Sequence, residues 1–265
     1  MSKIEYYSNI VSEIETVCQN LQGEFPQPWV LEYSEEMYTY RHHPSELSNT
    51  LAAYIKLVRI VSLLNACICL MKNGFVQEVH SLGRAIDESC QDITFLIIPE
   101  NLGANREKQL EMLSEFYKEI TENPDDPLAV NSYHAVDRKY VRSAISNVMG
   151  RIGNPHFMRQ VGKASHRLFS SFLHGAYVCI MESFNPGTGK FETNGLPSSS
   201  PRVQDCEEYF VMHIYQAILA AALVACTTSR NDLHNQILLM KDKVAQDTSC
   251  VAETASPPKN ANKAT

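Results

Sequence analysis

Along most of the chain, apolar residues recur every three or four positions, and no stretch alternates convincingly with period two. That spacing returns side chains to one face of an α-helix, whereas a half-buried strand needs alternation. The pattern predicts an all-α fold, a bundle of about eight helices. With 265 residues the chain is long enough to bury a substantial core in a single domain.

Pro, Gly and polar clusters divide the pattern. A first helix is expected over about residues 2–20, carrying Ile4, Ile10, Val11, Ile14 and Val17. The loop "QGEFPQPW" follows, then "YSEEMYTYRHH", a short helix or irregular segment ending before Pro44. Ser45 is a candidate N-cap for a helix running to Asn73 and stopped by Gly74. Further helices are predicted over about 75–98, 105–120, 131–149, 156–184, 205–228 and 230–245. The single domain spans 1–246, with its core in about 45–230. Residues 247–265, rich in Ala, Ser, Pro, Lys and Asn, have the composition of a disordered tail.

A net charge of −7 disfavours a general nucleic-acid coat protein, which needs a basic field, but leaves room for a small cleft that handles RNA locally. Of the eight cysteines none forms a CxxC pair, and most lie inside apolar runs such as "LLNACICLM". They are expected to be buried, reduced thiols in a cytoplasmic protein, with no metal site and no cofactor. The N-terminus "MSKIEYYSNIVSEIE" has no apolar signal-peptide segment. The span 209–226, "YFVMHIYQAILAAALVAC", contains His213 and Gln216 and lacks a basic flank. It is expected to be a buried bundle helix, with no membrane partner.

Three polar features need weighing. "GTGK" at 187–190 lacks the glycine and the Ser/Thr of a phosphate-binding loop; Phe184 and Phe191 stand in those places. His42 and His43 are adjacent, so a regular helix would splay them too far to share a ligand. In helix 75–98, Val79, Leu82, Ile86, Cys90, Ile93 and Ile97 share one face, and His80, Arg84, Asp87, Glu88 and Gln91 the opposite one. The polar face is either solvated, with an Arg84–Glu88 pair, or one wall of a cleft.

The stretch "HRLFSSFLH", 166–174, places basic and hydroxyl side chains in an apolar helix. Residues seven apart return to nearly the same face, so Arg167, Ser171 and His174 line one stripe, bordered by Ser170. An arginine there binds a phosphate through its fork, and a histidine exchanges protons near neutral pH. The pair has the chemistry of metal-independent RNA cleavage: His174 as acid/base, Arg167 as phosphate binder, Ser170 and Ser171 orienting a phosphate oxygen. Two other matches to the same spacing exist. Arg151–His156 crosses Gly153 and Pro155, and Arg159–His166 is a rival pair in the same helix.

Arg167-x6-His174 fits the Arg-x(4–6)-His pattern of the HEPN superfamily, which the chain resembles over about residues 45–230. It is also similar to a poorly characterised bacterial group of HEPN-like helical proteins that carries an Arg-x3-Glu helix and a Ser-x3-His-Gly helix. Here these are Arg84 with Glu88, and Ser170 with His174 and Gly175. The resemblance implies a metal-independent ribonuclease of a toxin or phage-defence system, built as a homodimer, with RNA as substrate and an antitoxin or other protein as possible partner. Arg84, Glu88, Asp87 and His80 then stand behind the motif. Leu168 departs from the superfamily, where the residue after the arginine is often polar. The competing expectation is a non-catalytic module that binds a partner protein or a small anionic ligand in the same cleft; the purely structural one makes Arg167 a strut held by Glu88 or Asp87. Each reading predicts that Arg84, Glu88, Arg167 and His174 meet in one cleft.

Overall fold

Ser2 opens α1 (Lys3–Gln22) with a reciprocal cap: its Oγ accepts the Glu5 amide at 3.2 Å, and the Glu5 carboxylate accepts the Ser2 amide at 2.8 Å. The computed structural model describes residues 2–32, 38–103, 105–118, 136–149 and 155–248. Their helices continue with α2 (Asn49–Lys72), α3 (Val76–Ile97), α4 (Arg106–Phe116), α5 (Arg138–Met149), α6 (Pro155–Leu173), α7 (Tyr177–Met181), α8 (Pro201–Thr227) and α9 (Asn231–Thr248). The protein is an all-α bundle. The only strands among the described residues are two short antiparallel pairs, β1 (Trp29–Glu32) with β2 (Tyr38–Arg41), and β3 (Phe184–Asn185) with β4 (Lys190–Phe191).

The core lies between α1, α2, α3, α8 and α9. Ile10 and Ile14, Leu57, Ile60 and Leu64, Ile86 and Ile93, Phe210 and Ile214, and Ile237 interdigitate there, all nearly sealed from solvent. A smaller cluster of Phe95, Leu96, Met112, Val136 and Val141 joins the C-terminal end of α3 to α4 and α5. The remaining side of α3 is covered by α5 and α6. Consequently only Glu78 is exposed among residues 76–97. The face of His80, Arg84, Asp87, Glu88 and Gln91 is therefore polar but enclosed, and the solvated alternative is overturned.

Several local expectations are corrected. Ser48, not Ser45, caps α2, accepting the Leu51 amide at 3.1 Å; Ser45 sits in a 3-10 turn after His43. "YSEEMYTYRHH" contributes a strand, because its Tyr38, Thr39 and Tyr40 suit a pleated ribbon and four residues are too few to show a period. The helix expected over 156–184 is broken at Gly175, whose φ of +60° ends α6 in a left-handed turn. Of "GTGK", Gly187, Thr188 and Gly189 lie in the hairpin turn between β3 and β4, and Lys190 opens β4. The beginning of the helix expected from 131, and the tail beyond 248, fall outside the described residues, as does Cys250; the other seven cysteines are unpaired, five of them buried.

Both α2 and α8 are long and apolar enough to cross a membrane by length and composition, yet at least half of each apolar window is buried inside the bundle. Close packing explains Gly83, in the middle of α3. A Cβ there would lie 2.5 Å from Nε2 of His213 on α8. His213 is itself buried and packed against Phe169 and Phe210, so the ring has nowhere to retreat. Gly83→Ala is expected to destabilise the fold by about 2 kcal/mol, because overpacking outweighs the roughly 1 kcal/mol that alanine gains in a helix. Urea unfolding measures it. A net gain in stability would show that His213 does not press on Gly83.

Candidate functional site

The phase of α6 decides which of its side chains meet α3. His166, Phe169 and Ser170 turn inward, while Arg167, Ser171 and His174 turn outward. Successive helical residues diverge by about 100°, so one stretch cannot present both neighbours to the same helix. Arg167 and His174 are exposed, and neither side chain makes a hydrogen bond or ion pair with a described residue. The expected meeting of Arg84, Glu88, Arg167 and His174 in one cleft is thereby corrected within one protomer. The strut is Arg84, not Arg167. Of the rival pair, His166 faces α3; Arg159 lies in α6 one seven-residue step earlier, and its side chain lies outside the described residues.

Arg84 organises the inner side. Its Nε donates to Glu88 Oε1 at 3.0 Å and its Nη1 to Ser170 Oγ at 3.0 Å, so the guanidinium fork joins α3 to α6. The His166 Nδ1 stands 3.9 Å from the same Glu88 oxygen. One turn on, Asp92 is gripped by Arg138 of α5 through both carboxylate oxygens and by Lys56 of α2 at 2.9 Å. Lys56 also lies 4.7 Å over the Phe116 ring. Arg142, one turn after Arg138, has an Nη1 buried without a hydrogen-bond partner. These residues form a polar seam between α3, α5 and α6. Ser171 instead donates its hydroxyl to the Arg167 carbonyl at 2.9 Å, and Ser170 Oγ accepts from Arg84 on the inner side, away from the outer stripe.

Electrostatics distinguish the inward groups. Burial, then the charges of Arg142 and Arg84, hold the His166 imidazole below its ordinary pKa against the opposing pull of Glu88. It is therefore neutral at pH 7. Asp87 faces the other way, towards α8. It accepts from Gln91 at 2.7 Å and Gln216 at 3.2 Å, and burial pushes its carboxyl above the usual carboxylate range. His80 is stacked on Phe172 with centroids 4.4 Å apart. Burial lowers His80 to about 4 and, together with the neighbouring His80, lowers His213 to about 4.

That pair sets a pH dependence. In the unfolded chain both histidines take up protons below about pH 6.5, while in the fold they stay neutral to about 4. Stability is thus full above pH 6.5 and falls as pH drops towards 4, by about 2 kcal/mol or more; the raised Asp87 carboxyl opposes part of the loss. Urea midpoints at pH 7.5 and pH 5 test this, and the double variant His80→Leu/His213→Leu should flatten the difference. An unchanged slope in that variant assigns the effect to other groups.

The outer stripe has a different setting. Leu173, Tyr177, Val178 and Ile180 are exposed beside it, Tyr177 by 77% and Val178 by 71%. Gln77 anchors α7 to α3 by donating to the Cys179 carbonyl at 2.8 Å. This is an apolar surface bordering two basic side chains. Cavities of about 240 Å³ beside Gly74 and Arg202, and about 430 Å³ between α1 and α2, are lined by neither the stripe nor the seam. Among the described residues no group of three or more His, Cys, Asp or Glu is arranged to hold a metal ion.

Sequence reasoning missed Arg138, Arg142, Asp92 and Lys56. Arg138 and Arg142 share a face of α5 at a spacing of four, a signal available in the sequence had that helix been read for its polar side as well as its apolar one. Comparison of the chain with protein-family models, with curated proteins and with solved structures returns no match in any of the three.

Proposed function

We propose that this chain is a metal-independent, HEPN-like ribonuclease, with His174 as acid/base and Arg167 as phosphate binder, completed by a second copy of itself. The observation that carries the reading is the outward Arg167–His174 stripe beside exposed Leu173, Tyr177, Val178 and Ile180. Exposed apolar surface of this kind marks an interface, and a two-fold axis through it would bring two stripes together. In such a site one histidine removes the proton of an RNA 2′-hydroxyl. The oxygen attacks the adjacent phosphorus, and the 5′-oxygen departs with a proton from the facing histidine, leaving a cyclic phosphate. Arg167 balances the charge that builds on the phosphoryl oxygens. Ser170 is reassigned from phosphate orientation to docking α6 on α3, with Arg84 and Glu88 behind it. A cytoplasmic toxin or defence protein restrained by an antitoxin fits this activity.

The test is cleavage of total RNA in the presence of EDTA, with sedimentation to give the oligomeric state. Chelator-resistant cleavage by a dimer is the expected result. A second reading, a non-catalytic module that docks another protein, is favoured by the same apolar surface and by Leu168, 49% exposed in the middle of the motif. Inert, monomeric protein would select it.

A further inference from the structure

The inner seam is out of electrical balance. Among the described residues Lys56, Arg84, Arg138 and Arg142 gather around two carboxylates, Glu88 and Asp92, with Asp87 turned towards α8 behind them. Burial favours the neutral acid at Asp87, which widens the excess. Asp92 is shared by two cations, and Glu88 is held by Arg84. Arg142 is left. It is close enough to Asp87 and His166 to act on both electrostatically, but its Nη1 has no acceptor. A buried guanidinium nitrogen without an acceptor is costly, and it stands out in a chain of net charge −7.

We propose that this seam is a phosphate-binding site, in which Arg142, Arg84 and His166 receive the oxygens of a phosphate dianion, free or carried by a nucleotide. The donor set fits that ligand. Guanidinium forks match phosphate oxygens in pairs, Arg84 is already positioned by Glu88 and Ser170, and the imidazole can donate to one further oxygen. A dianion supplies the counter-charge that Arg142 lacks. The seam is reachable: the side chains of Arg84 and His166 are 21% and 24% exposed. Arg142 is half-buried with its Nη1 sealed, so binding draws α5 and α6 around the anion. The site is separate from the outer stripe and stands whether or not Arg167 and His174 cleave RNA.

Arg142→Met is the informative variant, because Nη1 has no hydrogen bond to lose and the variant is expected to fold at least as well as wild type. Thermal unfolding is followed with millimolar inorganic phosphate, with adenosine monophosphate, and with chloride at equal ionic strength. The expected result is a rise of several degrees in wild type with phosphate over chloride, absent from Arg142→Met and from Arg84→Gln. Adenosine monophosphate binding about tenfold or more tighter than phosphate assigns the site to a nucleotide; equal binding assigns it to the free anion. No shift in wild type with either compound overturns the proposal. An equal shift in wild type and Arg142→Met also overturns it, since binding then lies elsewhere. Arg142→Met that is strongly destabilised without ligand contradicts the premise that Nη1 is unpartnered and overturns the proposal.

Discussion

Conversion of His174 to alanine is expected to lower RNA cleavage by about 10²–10⁴-fold, the usual contribution of a positioned acid/base. Stability should stay within about 0.5 kcal/mol of wild type, because the imidazole is exposed and makes no polar contact with a described residue. The two halves of this expectation work together. A variant that loses activity without losing stability identifies chemistry, whereas one that loses both identifies packing. Arg167→Ala should behave in the same way, and Arg167→Lys should recover only part of the activity, since an ammonium lacks the planar fork. In a two-fold composite site each histidine serves one proton transfer, so mixing the two inactive variants leaves a single histidine per mixed dimer and should not restore cleavage. His166→Ala separates the rival motif: it should leave the outer chemistry standing while altering the seam. Cleavage abolished by His166→Ala and untouched by His174→Ala would move the active site inward and overturn the assignment.

Much of the bundle was legible in the sequence, for a definite reason. The cores of α1, α2, α3 and α8 repeat apolar residues over five turns or more, and a period is readable only over such lengths. The strand pair at 29–32 and 38–41 offers four residues on each side, too few to establish alternation. Gly175 lies within an apolar pattern that continues into α7, so the periodicity masked a break that only its positive φ reveals. Ser45 and Ser48 are equally good caps by composition; Pro44 decided between them, its rigid ring favouring a separate 3-10 turn.

The site was less legible, because helix phase fixes which residues share a face but not which face a neighbour covers. Arg84 and Glu88 were paired correctly at a spacing of four, and the polar face of α3 was recognised. That α5 and α6 both cover it depends on long-range packing, to which a one-dimensional pattern is blind. The motif Arg167-x6-His174 therefore appeared to face the Arg84–Glu88 wall. The inward residue proved to be His166, one position away and about 100° around the helix. Asp92 was hidden for a related reason. It sits beside Ile93 on the boundary of the apolar face, and nothing local announces that Lys56 and Arg138, 36 and 46 residues distant, converge on it.

That convergence makes Asp92→Ala the substitution expected to cost the fold most, about 3 kcal/mol. The carboxylate is only 6% exposed and neutralises two cations at once. Removing it leaves Lys56 and Arg138 facing each other across an enclosed seam, where an uncompensated charge is far more costly than a lost surface pair. The full penalty for a sealed site is reduced because Lys56 and Arg138, at 17% and 29% exposure, retain some access to water. The damage should be local first. Fully buried apolar contact on α5 comes from Val141, with Tyr140, Ala144 and Ile145 half-buried, so the Arg138–Asp92 grip supplies much of what holds this helix on α3. Hydrogen exchange should therefore speed up in α5 well before α2 or α8 responds. Asp92→Asn keeps the shape and one acceptor oxygen and should cost less, while the double variant Asp92→Leu/Arg138→Met should recover only part of the loss, since Lys56 still lacks its carboxylate. Uniform loss of protection across all helices in Asp92→Ala would show instead that α5 and the central core unfold as one unit.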